Sequence, residues 1–439
     1  MAEIESESPF SPVPVLGSAG TTWSPETRLY SDGVVKAHDG GPVIVPPHST
    51  LRRIPGTCFL DPTSGSLPRA HTPTGEEISA ARRRLSGSPI SGGQRYRDMA
   101  EVALLDIEAV TFPNGATVAA ASPYWFYVWP RDASYLAVAL TQCNRCREAQ
   151  RILTYVASMQ EQDGTWQARY LPDGSRRVPD DRGTQLDGNG WFLWAVWVLA
   201  RLGGAVEIEN HLVSAARKAT EAAIAAIDHE SGLPRPSQDF WEMDIHEPTL
   251  GVAAPLLLAL RTGSDLMQSH GDTDLAARAS GAARALAATI ARKFGPRGYP
   301  RRLGGAGPDA SICFLLPPFA PARMDVVAAW RQARADMRVS NGGLRPGTEW
   351  EERTTAWTPQ TSLFAVTAAY VGDRREAESL LDWLNARRTR LGSLPEKVTA
   401  AGDPAAVAPL PLTGAAVLIA LAALDNNSLP VPQHGSETD

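Results

Sequence analysis

The chain has 439 residues, 43% of them hydrophobic, with 42 Lys+Arg against 48 Asp+Glu and a formal charge of −6. That length allows two or three domains or one large barrel, and the apolar share supplies a packed core and excludes wholesale disorder. The mildly acidic balance and scattered Arg pairs lack the basic footprint of a nucleic-acid binder.

Residues 1–90 contain short β-type runs in GVVKAHDGGPVIVPP (Gly33–Pro47), split by Gly-Gly and Pro-Pro. They predict an irregular N-terminal segment with a hairpin or two, lying against a helical body. The opening MAEIESESPF has neither a basic region nor an apolar run and does not read as a secretory signal.

From Tyr96 the pattern turns helical. YRDMAEVALLDIEAV (Tyr96–Val110) places apolar residues near i, i+3, i+4 and i+7. Similar stretches at 131–142, 145–162, 189–203, 207–229, 248–266, 273–294, 322–337, 357–371, 373–389 and 411–424 predict about eleven helices within a body spanning 91–425. GWFLWAVWVLA from Gly190 is apolar on most faces, as an inner helix packed on both sides must be, whereas 207–229 carries charge on one face and suits an outer layer. The apolar runs Gly190–Ala200 and Gly414–Leu424 are shorter than the roughly 20 residues that span a bilayer. No membrane partner is expected, and the location expected is cytoplasmic. The polar tail, 426–439, is expected to be flexible.

Gly (37) and Pro (35) exceed the roughly 12% average share, and much of the excess falls in connections at 163–188, 230–247, 295–321, 338–356 and 391–410. Long loops in compact domains are usually functional. Helices alternately buried and half-buried, with long loops gathered at one end, describe an all-α fold, an α/α barrel. Periodicity alone also fits a stacked array of helical pairs.

Several chemistries lose support. Cys143 and Cys146 form a lone CxxC within a helical pattern and read as ordinary thiols. No HxH or HExxH pair, phosphate loop or GxSxG elbow occurs, so no metal and no cofactor are expected. What stands out instead is a set of aromatic and acidic clusters. YWFYVWPRDASY (Tyr124–Tyr135) combines aromatic faces, which meet the C–H patches of sugars, with an Arg and an Asp for hydroxyls. GTQLDGNGWF puts Asp187 at a helix start. RPSQDFWEMDIHEP (Arg235–Pro248) sets Glu242 beside Trp241, an arrangement that desolvates a carboxyl and suits a general acid. LRPGTEWEERTTAW (Leu344–Trp357) and GSLPEKVTAAGDP (Gly392–Pro404) complete the set.

In order and spacing these motifs, over about 95–424, resemble glycoside hydrolase family 15, the glucoamylase family. The resemblance implies an (α/α)6 barrel, a six-hairpin toroid. It implies that Trp129, Arg131 and Asp132 of YVWPRD hold a terminal glucose, with Trp125, Asp187 and Asp239 beside them. DFWEM then supplies Glu242 as general acid next to Trp241, and the LPE loop supplies Glu396 as general base. Arg345 and Trp357 keep the family spacing of a further sugar contact.

The implied activity is inverting, exo-acting hydrolysis of an α-glucoside with release of β-glucose. The departures lie around the second sugar: Met243 follows the acid, Trp125 replaces a Tyr, RRVPDDRGTQ lacks an aromatic platform, and PLPLTGAA replaces a W-S helix start. They point from starch toward a disaccharide, trehalose or a glucosylated metabolite. A pocket repurposed for other chemistry and a non-catalytic sugar-binding barrel are the alternatives. The oligomeric state is left open.

Overall fold

The structure, a computed structural model, describes residues 28–433. The first 27 residues of the N-terminal segment, including MAEIESESPF, and residues 434–439 of the tail lie outside the described residues.

The hairpin run forms β1 (Gly33–Lys36) and β2 (Pro42–Val45), antiparallel with Gly33 opposite Val45 and Lys36 opposite Pro42. The same segment also holds a helix that the apolar pattern did not announce, α1 (Gly75–Ser86). Its start is written in T-G-E-E: the Thr74 hydroxyl accepts from the Glu77 N–H at 3.2 Å, and the Glu77 carboxylate accepts from the Thr74 N–H at 2.7 Å.

All eleven predicted helices are present, with ends moved by a few residues: α2 (Gly93–Val110), α3 (Pro130–Gln142), α4 (Cys146–Ser158), α5 (Asp187–Leu202), α6 (Asn210–Ala225), α7 (Leu250–Ser269), α8 (Thr273–Lys293), α9 (Met324–Met337), α10 (Thr358–Tyr370), α11 (Arg374–Asn385) and α12 (Pro411–Leu424). A small antiparallel sheet joins β3 (Ala356–Trp357), β4 (Lys397–Val398) and β5 (Pro404–Ala405).

The inner ring runs α3, α5, α7, a 3₁₀ turn at Ala310–Leu315, α10 and α12, which packs back onto α3. The helices α2, α4, α6, α8, α9 and α11 lie outside it, so the chain is an all-α (α/α)6 barrel. Inner helices are buried nearly all round, and in α5 every residue from Asp187 to Leu199 is buried. Outer helices are one-sided: α4 buries Ala149, Ile152, Leu153 and Val156 and exposes Arg147 and Arg151.

The 295–321 connection, read from sequence as a loop, carries the sixth inner position as the short 3₁₀ turn. Asp309 caps it, accepting from the Ser311 N–H at 3.0 Å, and the N–H-less pair Pro317–Pro318 keeps it from lengthening.

Two inner helices approach especially closely. A Cβ on Gly190 in α5 would stand 2.2 Å from the Pro255 carbonyl oxygen of α7, so only glycine fits there. α7 is long and apolar enough to cross a membrane (mean hydropathy 1.2), unlike the two runs singled out from sequence, but 89% of that stretch is buried inside the barrel. The tail also departs from expectation at its start. Gln142 Nε2 donates to the Asn427 carbonyl at 2.9 Å, the Leu429 N–H donates to the Tyr370 hydroxyl at 2.7 Å, and the Leu429 side chain is buried.

Candidate active site

Inner-helix N-termini supply the floor of the site. Trp129 is the N-cap of α3, Pro130 fixes the first helical residue, and Asp132 lies in the first turn. Asp187 is the first residue of α5. The partial positive charge at these helix starts favours carboxylates.

Arg131 joins the two acids: its Nε is 3.4 Å from Asp132 Oδ2 and its Nη1 3.4 Å from Asp187 Oδ2. Asp187 also accepts from Trp191 Nε1 at 3.0 Å, and Gln185 accepts from Arg131 Nη1 at 3.2 Å. Burial pushes both carboxyls above the usual range and Arg131 offsets part of that, while the charge of Asp187 adds to the shift of Asp132 and the charge of Asp239 to that of Asp187. Burial alone would lower Arg131, but the two acids outweigh it and raise its affinity for the proton. Asp187 Oδ1 and Trp241 Nε1 are buried without a hydrogen-bond partner among the described residues, as polar groups that await a polar ligand would be.

Glu242 sits at the end of a tight turn. The Trp241 N–H donates to Asp239 Oδ1 at 3.0 Å and the Glu242 N–H to the Asp239 carbonyl at 2.8 Å, which holds Glu242 at φ 53°, in the left-handed region. Asp239 is itself fully buried and accepts from Arg301 Nη2 at 2.9 Å. The Arg301 guanidinium lies 4.1 Å above the Trp241 ring. Asp239 is thereby placed beneath the site as the support of the turn. Glu242 Oε1 accepts from Trp129 Nε1 at 2.5 Å and from Gln185 Nε2 at 3.3 Å, with Arg131 Nη2 at 3.9 Å, while Oε2 is ion-paired with Arg182.

Glu396 is 8% exposed and directly precedes β4. Its N–H donates to the Val407 carbonyl at 2.8 Å, its carbonyl accepts from the Thr358 N–H at 2.9 Å, and its Oε1 accepts from Trp125 Nε1 at 3.3 Å.

Two aromatic paths connect the glutamates. Trp125 packs on the cluster of Ala119, Tyr127, Trp129 and Leu171, which leads from Glu396 to Glu242. On the other side Trp241 meets Trp350 edge-on at 4.9 Å, and Trp350 meets Trp357 at 5.3 Å. Trp357 pairs with Lys397 across β3 and β4, and Lys397 Nζ stands 4.3 Å over its ring. Eight of the nine other predicted residues are thus gathered with the two glutamates in one constellation.

Arg345 is the exception. Its N–H donates to the Met337 carbonyl and its Nη2 to the Asp336 carbonyl at 3.1 Å, at the end of α9, and it makes no ion pair among the described residues. Sequence reasoning passed over Trp350, Gln185, Arg182 and Arg301. Trp350 stood in a quoted motif, and Arg182 in the loop noted for its missing aromatic. Arg301 had no local signal, because only folding brings it to Asp239.

The comparisons agree with the fold. A 143-residue stretch is 29% identical to an uncharacterized glycosyl hydrolase of Methanocaldococcus jannaschii, covering 32% of this chain and 22% of that protein. A glycosidase solved in complex with glucose superposes with a TM-score of 0.63 at 20% identity, over 81% of this chain and 100% of that one. A bacterial glucoamylase complexed with acarbose gives a TM-score of 0.64 at 15% identity, over 81% of this chain and 59% of that one. The model of Glycosyl hydrolases family 15 matches residues 99–398, more than half of the chain, and the chain belongs to that family and is a glycoside hydrolase.

Proposed function

We propose that the protein is an inverting, exo-acting α-glucoside hydrolase that releases β-glucose from a small substrate such as a disaccharide, trehalose or a glucosylated metabolite. The observation that carries this reading is the pair of glutamates in one aromatic-lined site, each held by an indole N–H: Glu242 by Trp129 and Glu396 by Trp125. Glycosidic cleavage by inversion needs one carboxylic acid to protonate the leaving oxygen and one carboxylate to take a proton from the attacking water. Glu242 fills the first role and Glu396 the second. The C–O bond to the leaving group breaks as water attacks the anomeric carbon from the opposite face.

Trp129, Arg131, Asp132, Asp187, Trp241 and Trp357 surround the terminal glucose in this reading, and the glycosidase neighbour bound to glucose supports a carbohydrate as substrate. Arg345, directed at the end of α9, reaches the sugar only if its side chain turns. Arg182 is ion-paired with Glu242 Oε2, so the entering leaving group has to displace Arg182 to reach the acid.

An activity screen over trehalose, maltose, isomaltose and natural-product glucosides, with the product anomer read by NMR, tests the proposal. β-Glucose is expected first, with E242Q and E396Q each lowering kcat on the order of 10²–10⁴-fold. α-Glucose as first product overturns inversion. Calorimetric binding of glucosides without turnover, unchanged in E242Q, identifies a sugar-binding barrel instead.

A further inference from the structure

Outside the sugar site, a cavity of about 410 Å³ opens where the hairpin, α1, α2 and α4 meet. Five cations line it, Lys36, Arg84, Arg145, Arg147 and Arg151, against the carboxylates Glu108 and Glu148. In a chain of net charge −6 this local excess of positive charge has to be explained.

Part of it is structural. Lys36 Nζ donates to the Glu108 carbonyl at 2.7 Å and to the Thr111 carbonyl, closing the C-terminus of α2. Glu108 is shared between Arg84 Nη2 at 2.9 Å and Arg145 Nη1 at 3.0 Å.

The remainder has no internal use. Arg145, whose side chain is 6% exposed, leaves Nη2 buried with no hydrogen-bond partner among the described residues. Arg147 and Arg151 are exposed on one face of α4 and make no hydrogen bond or ion pair among the described residues. Arg145 is also the N-cap of α4, so the positive end of that helix lies on the same wall. Ile107, Phe112, Pro113 and Leu140 give the cavity an apolar side.

We infer that this cavity is a binding site for a small phosphorylated metabolite of sugar-phosphate size. Guanidinium groups at Arg145, Arg147 and Arg151 match the oxygens of a phosphate monoester, and the volume lies within the range of small-molecule pockets. The apolar side meets the C–H face of the attached ring. The phosphoryl oxygens satisfy the donors that the protein leaves open.

Calorimetric titration of the full chain with glucose 6-phosphate, inorganic phosphate and glucose, at low and at physiological ionic strength, tests this. Glucose 6-phosphate is expected to bind more tightly than inorganic phosphate, more weakly as salt rises, and with its affinity at least about tenfold lower in R147Q/R151Q. Both substituted residues are exposed, so the variant should keep the wild-type melting temperature, checked alongside. E242Q should bind glucose 6-phosphate as the wild type does, because the sugar site is separate. No heat from glucose 6-phosphate at millimolar concentration, or equal binding by R147Q/R151Q, overturns the site. Loss of binding in E242Q, or competition by glucose, assigns the binding to the sugar pocket and overturns it equally. Equal affinity for inorganic phosphate removes the apolar side from the recognition and overturns the sugar-phosphate assignment.

Discussion

Arg182 reaches Glu242 from a loop in which it also shares Asp180 with Arg169. Burial lowers the proton affinity of Arg182, and the charge of Arg169 adds to that, but the guanidinium keeps its charge. The guanidinium occupies the acid's oxygen, which the leaving group of a substrate has to reach. Replacing Arg182 by Gln should therefore lower KM on the order of a few-fold, with a smaller change in kcat, in steady-state kinetics. Identical KM values in R182Q and wild type would remove Arg182 from the path of the leaving group.

The 3₁₀ turn that replaces a full inner helix depends on its cap. Asp309 is buried beside Asp239, its Oδ1 accepts from the Ser311 N–H, and its Oδ2 is 3.7 Å from Arg301 Nε. Burial and the charge of Asp239 raise its carboxyl from the ordinary 3.8 to about 7. Between those values the folded protein binds more protons than the unfolded chain, so this group's contribution to stability is present at low pH and falls as pH rises toward 7. The melting temperature of D309N relative to wild type should accordingly climb between pH 5 and pH 8, the full effect being on the order of a few kcal/mol. A difference that stays flat across that range would contradict the raised carboxyl. Asn keeps the capping acceptor, so the comparison isolates ionisation.

Among the described residues, a buried charge pair helps tie the N-terminal segment to the barrel. Arg53, between the hairpin and α1, pairs with Asp106 of α2, and Asp106 also accepts from Ser393 Oγ at 3.0 Å, three residues before Glu396. Arg53 Nη2 further donates to the Val34 carbonyl at 2.6 Å. Burial pushes the Asp106 carboxyl up and Arg53 pulls it back. Removing the guanidinium strands a carboxyl with a side-chain exposure of 3%. R53M should cost about 3–5 kcal/mol in urea denaturation, and R53M/D106N should recover part of it. If both variants melt like wild type, the segment is not fastened through this pair.

The sequence by itself determined the helical body, because burial on one side or all round prints itself in the spacing of apolar residues along each helix. It also made most of the candidate site legible: Trp129 stands at a helix start, Glu242 in a turn of a long connection and Glu396 just before a short strand, each within a motif readable along the chain. Even α1 was available in the T-G-E-E box, although its apolar face is short. The tertiary structure alone decided which distant groups meet. Arg301 under Asp239, Arg182 on Glu242, and Arg145 against Glu108 and against Ser88 are contacts across 62, 60, 37 and 57 residues of chain that no spacing rule encodes. The physical reason is that local patterns fix what each segment must bury, while ion pairs between loops are set only when closure of the ring brings those loops together.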